Sequence, residues 1–475
     1  MPKHCTSVVN KAEKDFTLQQ DFRKFHNITA RRIGERAKVI TFITPMKINL
    51  FYFFVFLLAG VLVLSCKKKA NNEATITFLH PSSGDIFMPG DTIHMEVIVK
   101  DDNKLASLTI KLLNAAYTPV DHQESIPMNA TTYQFTFAYV IENNYLESGN
   151  YFLTISTTDG DNDINEYLPI VINGIPKTVK AVYALTQQDS ANVNLNQIDS
   201  TGQLLFQFSI QGDYSGSVIN SRYNQLNIAG NYSGAYNQFD LPSYSNVFSE
   251  PAYNGTSPSF QGLTFAHALT FLSYYDGRIK AFDQEGHTQF NAAQPVYYRP
   301  AALCVNDKYV FVEAYYPGPG VTRIVVLNYP SGTAKQEYTL DIDIVSMLSR
   351  DDNDVIVFGN DGVDGKIYLY HVTSNNTNDF HTLYSNTVYS AIAIDSDRYA
   401  LATSDGLYSY QVSSNNLVPV DAAVPVYSME YNDVNGILYV NAGRKIKQYA
   451  FPDPAVLNVV TSADSILDLR VLYNK

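Results

Sequence analysis

From Thr75 to the C-terminus, apolar and polar positions trade places in short runs, and the runs are bounded by Gly, Pro, Asn or Asp. In "TIHMEVIVK", Ile93, Met95, Val97 and Val99 alternate with Thr92, His94 and Glu96. A period of two puts the apolar set on one face of a strand. Long helical patterns are missing, so the chain is expected to be all-β. Six such runs fall between Ala74 and Gly174: "ATITFLHP", "TIHMEVIVKD", "LASLTIKLLN", "TYQFTFAYVI", "NYFLTISTTD" and "EYLPIVING". About seven short strands over about 100 residues is the pattern of a β-sandwich, and residues 75–174 are assigned to one.

After about Val179 the pattern repeats. A strand of mixed aromatic and aliphatic residues ends at Asp199, Asp240, Asp283, Asn328, His371, Gln411 and Ala450, in steps of 41, 43, 45, 43, 40 and 39 residues. From the second unit on, an earlier strand precedes the marker, such as "QLNIAG", "YVFVEAYY" or "RYALATSD". A period near 42 with several strands per unit predicts the blades of a β-propeller. Seven markers predict seven blades over residues 175–475. The first unit shows three strand candidates, and a spare one, "SILDLRVLYN", follows the last unit. Ser465–Asn474 is therefore expected to complete the first unit and close the ring, removing exposed sheet edges.

The N-terminal end follows a different pattern. Between Met46 and Lys67 the only charge is Lys47, and an apolar run spans Leu50 to Ser65. A bilayer span needs about 20 residues, so this shorter run suits a signal-peptide core with a basic start, cut after a small residue. The alternative is an uncleaved anchor with its Lys- and Arg-rich end in the cytoplasm. Residues 1–45 carry nine Lys or Arg and four acids without apolar periodicity. They read as a start assigned too early, with Met46 the real start, or as a long basic tail. The expected organisation is thus a basic extension (1–45), a signal peptide (46–65), a tether (66–74), the sandwich and the propeller.

Val63-Leu64-Ser65-Cys66 resembles the lipobox of bacterial lipoproteins. That resemblance implies cleavage before Cys66, acylation of its thiol and a lipid anchor in the cell envelope, with the outer membrane expected. In Bacteroidetes-type surface lipoproteins, which the layout resembles, acids follow the cysteine. Here Lys67, Lys68 and Lys69 follow, and Glu73 is the first acid, so surface and periplasmic faces both stay open. "PSSGDIFMPGDTIHMEVIVKDD" and "LESGNYFLTISTTDGDND" resemble bacterial Ig-like and fibronectin type III-like modules. The resemblance implies that the Tyr151 hydroxyl bonds backbone across a corner. The repeats are similar to WD-repeat-like and quinoprotein-like propellers of bacterial lipoproteins.

Charge narrows the partners. The first 65 residues hold 10 basic and four acidic side chains, which leaves 23 and 42 in the remaining 410, a formal charge of −19. Such a surface repels polyanions, so nucleic acid is not expected as a partner. Cys304, in "PAALCV", reads as a small core residue. Asp159, Asp161 and Asp163 place oxygens at alternate positions, as calcium loops do. They sit between two strands, however, where Asp and Gly are ordinary turn residues. Asp351, Asp352, Asp354, Asp361 and Asp364 read in the same way. No metal spacing, nucleophile elbow or phosphate loop is present, so no cofactor is expected. The pairs Tyr274-Tyr275, Tyr297-Tyr298 and Tyr315-Tyr316 suit sugar stacking, or one ring packed and the other facing water. The function expected is a non-catalytic binding or scaffold module for an envelope protein or glycan. The alternative is a glycan-capturing protein or enzyme with its site on the propeller's central face.

Overall fold

The structure is a computed structural model. It describes residues 74–475 apart from 159–162, 254–256, 295–297, 318–319, 423 and 453. The protein is all-β: every regular element among the described residues is a strand except one short 3-10 turn, Ser221–Tyr223.

The first six strands form one sheet: β1 (Thr75–His80), β2 (Ile86–Phe87), β3 (Thr92–Leu113), β4 (Pro119–Val140), β5 (Gly149–Thr158) and β6 (Asp163–Ile172). Their order is β1-β3-β5-β6-β2, with β4 on the other side of β3. The first half of β3 pairs β1 and its second half pairs β5, while β4 runs beside both halves. Two runs expected as separate strands, "TIHMEVIVKD" and "LASLTIKLLN", are therefore one strand of 22 residues. The polar stretch between them reads as a turn, yet β4 continues past it. Lys100 pairs Thr132 and Leu105 pairs Ala130, so a bulge absorbs the extra residues. Ile93, Met95, Val97 and Val99 are buried together, as their alternation requires, and they share a core with Leu153 and Ile155. The Tyr151 hydroxyl donates to the Glu147 carbonyl at 2.9 Å, the backbone bond expected of it.

Seven four-stranded antiparallel sheets follow, and they make a seven-bladed β-propeller. Blades 1 to 6 span residues 216–250, 260–293, 299–339, 343–383, 388–422 and 428–461. In the seventh, Ser465–Tyr473 pairs Val179–Gln187, which pairs Asn192–Ile198, which pairs Leu204–Gln211. The first strands of successive blades touch one another, and Ser465–Tyr473 touches both Ser428–Asn432 and Gly216–Asn220. Residues of all seven first strands line one central cavity.

The repeat markers all lie at the end of a third strand, and the strands expected before them are the second strands. Second strands sit between neighbouring blades and are covered on both faces. Their sequences are accordingly near-continuous apolar runs, such as Tyr309–Tyr316 and Arg398–Thr403. First strands line the channel and are more mixed, which is why the periodicity shows the second and third strands best.

The propeller has two ends. At the near end lie the turns from first to second strand. The N-terminal domain packs here: the Tyr145 hydroxyl donates to the Arg222 carbonyl, and Lys475 pairs Glu147 at 3.0 Å. At the far end lie the connections between blades and the turns from second to third strand.

Candidate functional site

A cleft of about 540 Å³ opens at the far end over blades 2 to 4. It shares Gln261, Ala301 and Glu313 with the central cavity of about 690 Å³. Tyr275, from the second-to-third turn of blade 2, and Tyr315, near the end of the second strand of blade 3, supply its aromatic walls. Asp341 and Asp343 come from the connection into blade 4, and Asn360 and Asp361 from that blade's second strand.

Close packing beneath the cleft sets its floor. A Cβ on Gly262 would lie 1.9 Å from the Ala301 carbonyl oxygen, so only glycine lets the first strands of blades 2 and 3 come this near. Ser273 Oγ bridges them, accepting from the Gly262 N–H at 2.7 Å and donating to the Ala301 carbonyl at 3.1 Å. Asn360 ties blade 4 to blade 5 through both the N–H and the carbonyl of Val388, at 2.7 and 2.9 Å.

Two groups give the cleft its chemistry. The Arg299 guanidinium lies 4.1 Å from the centre of the Tyr275 ring, a cation–π contact that fixes both side chains. Glu313 is only 5% exposed, and its carboxylate accepts the Ala302 N–H at 3.1 Å. No salt bridge reaches it among the described residues. Burial, reinforced by the neighbouring charge of Asp343, pushes its pKa up to about 7. It is a buried acceptor that neither Arg299 of the cleft nor Arg470 of the central cavity pairs.

A second charged cluster lies on the other side of the channel. Arg470, in Ser465–Tyr473, pairs Asp468 at 2.5 Å and Glu430 at 3.3 Å. It also donates to the Ser217 carbonyl at 2.6 and 2.9 Å. Asp468 in turn accepts from the hydroxyls of Tyr214 and Ser217. These bonds join blade 7 to blades 6 and 1.

The residues singled out in the sequence fall as follows. Cys66, Asp159, Asp161 and Tyr297 lie outside the described residues. Asp163 is exposed at the start of β6 and pairs Thr158 in the β5–β6 hairpin. Asp351 holds a turn, accepting the N–H groups of Asn353 and Asp354 at 2.7 and 2.9 Å. Tyr274 is buried with its hydroxyl on Glu250 at 2.5 Å, while Tyr275 faces the cleft. Tyr298 and Tyr316 pack together at 5.3 Å, and Tyr315 is exposed. Cys304 is buried, which pushes its thiol up to about 12. Among the described residues no group of three or more His, Cys, Asp or Glu could hold a metal ion, and no helix is long and apolar enough to cross a membrane. Reading the sequence missed Arg299, Glu313, Asp341 and Asp343. A signal existed for one of them: Glu313 is the lone charge inside the apolar second strand "YVFVEAYY".

No protein-family model matches the chain, and no curated protein matches it. Solved structures similar to it include the computationally designed Ika8 protein (TM-score 0.45, 14% identity, 62% of this chain and 90% of that one). A quinoprotein alcohol dehydrogenase-like protein of Bacteroides thetaiotaomicron gives a TM-score of 0.43 at 13% identity, over 84% of this chain and 99% of that one. The hydrazine synthase of Kuenenia stuttgartiensis gives 0.44 at 8%, over 54% and 89%. At these identities the likeness concerns the fold alone.

Proposed function

We propose that the chain is a cell-envelope lipoprotein whose propeller is a non-catalytic binding module, with its ligand at the far-end cleft. In this reading Cys66 carries the lipid, residues 66–74 are a tether, and residues 75–174 are an Ig-like sandwich acting as a spacer. Ser465–Tyr473 closes the propeller ring. The bond from Tyr151 to Glu147 supports the sandwich, as does the core in which Val97 and Val99, from the half of β3 that pairs β1, join Leu153 and Ile155 of β5. The antiparallel pairing of Ser465–Tyr473 with Val179–Gln187 supports the closure.

The observation that carries the reading is the cleft itself: a concave site with a few convergent polar groups, continuous with the channel. It opens at the end opposite the contacts with the N-terminal domain, so an anchor on that domain leaves it free. The test is retention from a solubilised envelope fraction on the immobilised protein and on an Arg299→Ala/Tyr315→Ala variant. A component held by the first and lost by the second is expected, and identical retention on both would place binding elsewhere. The anchor is tested by labelled fatty acid: incorporation that disappears in Cys66→Ala is expected, and an unlabelled wild-type protein would refute it.

A further inference from the structure

We infer, building on the far-end cleft as the binding site, that its ligand is a neutral oligosaccharide. Six tyrosines of the described propeller residues are exposed: Tyr232, Tyr253, Tyr315, Tyr384, Tyr389 and Tyr427. All six lie in the connections between blades, at the start of a first strand, or at or near the second-to-third turns, which is to say at the far end. The near end, built from the same repeats, has none among the described residues. Strand alternation alone would scatter such residues over both ends. Exposed aromatic rings gathered on one face offer flat apolar surfaces, and the C–H faces of a sugar ring fit them.

The polar lining selects the same chemistry. Glu313, Asp341, Asp343 and Asp361 are acceptors when ionised, and the guanidinium of Arg299 is held against Tyr275. Glu313 in particular is buried and lacks a cation, so the ligand must bring donors. Hydroxyl groups are donors without net charge. An acidic glycan would meet these carboxylates and the −19 charge of residues 66–475, and would be repelled. A protein partner fits less well. The core of a protein interface is depleted of charge and mixes aliphatic with aromatic side chains. Here carboxylates line the cleft, and the exposed aliphatic residues of the propeller lie mostly on the outer strands of blades 1, 5, 6 and 7, at Val247, Val418, Val456, Leu457, Val459 and Leu205, with Val363 alone beside the cleft.

The experiment uses the full-length protein on an array of neutral hexose oligomers, N-acetylhexosamine oligomers and uronic-acid oligomers. Hits are followed by titration of Tyr315→Ala, Tyr315→Phe and Glu313→Gln, each first shown to be folded by a single cooperative melt. Retention of neutral oligomers is expected, with affinity falling about tenfold in Tyr315→Ala and staying within about twofold in Tyr315→Phe, because stacking needs the ring and not the hydroxyl. At pH 8, where Glu313 is ionised, Glu313→Gln should weaken binding about fivefold, as a charged acceptor gives way to a neutral one. Binding only to uronic-acid oligomers, no binding to any oligomer, or equal affinity in Tyr315→Ala would overturn the inference. An envelope protein retained by the wild type and lost in Arg299→Ala/Tyr315→Ala, with no glycan bound, would refute the sugar and leave the cleft standing. Loss of neither would remove both.

Discussion

Glu313 and Glu430 line the same central cavity from opposite walls, and they are held in opposite ways. Glu430 faces a guanidinium: Arg470 lies 3.3 Å away and also grips Asp468 and the Ser217 carbonyl. Glu313 has the backbone N–H groups of Ala302 and Ile344 and no paired cation. Burial pushes both carboxyls upward, and at Glu430 the Arg470 charge pulls against it. One wall has spent its charges on joining three blades. The other carries a buried acceptor that no cation among the described residues pairs. A buried carboxylate thus has two readings, and its partner decides between them.

The largest test of the paired wall removes it. Deleting residues 464–475 takes away the first strand of blade 7 with Asp468 and Arg470, and it bares the edge of Val179–Gln187. Aggregation or rapid proteolysis is expected, seen by size-exclusion chromatography and limited trypsin digestion. A monomeric truncation that melts like the parent would mean that the ring does not depend on this strand. A finer cut is Arg470→Met, which keeps much of the length and leaves Asp468 and Glu430 without their cation. Breaking a buried pair on one side costs about 3–5 kcal/mol, to be read from urea unfolding at pH 7. A loss below about 1 kcal/mol would show that the network contributes little, and the contrast between the walls would fail.

The unpaired wall predicts the reverse sign. The Glu313 carboxyl normally titrates near 4.5, and in the fold it is pushed up to about 7. Between those values the native state keeps a proton that the unfolded chain has released. Stability therefore falls as pH rises through the window, and the cost is fully present above pH 7. Glu313→Gln removes that cost. The variant should match the wild type at pH 4 and exceed it by up to about 3 kcal/mol at pH 8. Paired urea titrations at the two pH values check it. A difference that does not change with pH would mean that Glu313 titrates normally and has found a cation in solution.

These contrasts were only partly legible in the sequence. The blades were, because Asp240, Asn328, Gln411 and the other markers recur at the ends of third strands, where the same turn is needed in every unit. The spare C-terminal strand was legible as a strand without a unit. The continuity of β3 was not, since its polar stretch has the composition of a turn and only the partner strand β4 reveals the bulge. The cleft was not legible either. Arg299 and Glu313 sit on the first and second strands of blade 3 and Asp343 at the start of blade 4, and only the packing of one strand on the next and of blade on blade brings them to one opening. Tyr275 and Tyr315 were noticed, but as pairs along the chain rather than as walls across a gap.

The smallest expected effect belongs to Tyr315→Ala, and its smallness carries the point. Tyr315 is 39% exposed and ends a second strand whose buried core runs from Val310 to Ala314. Its neighbour Tyr316 makes the ring contact with Tyr298. Truncating Tyr315 leaves that packing in place, so stability should shift by no more than about 0.5 kcal/mol. Tyr274→Ala offers the control: it empties a buried site and strands Glu250 without its hydroxyl donor, and a large aromatic lost from a core costs about 3–5 kcal/mol. Thermal melts of the two variants should therefore separate widely. If Tyr315→Ala melts as low as Tyr274→Ala, the exposed ring is holding the fold together and is not kept at the surface for a ligand.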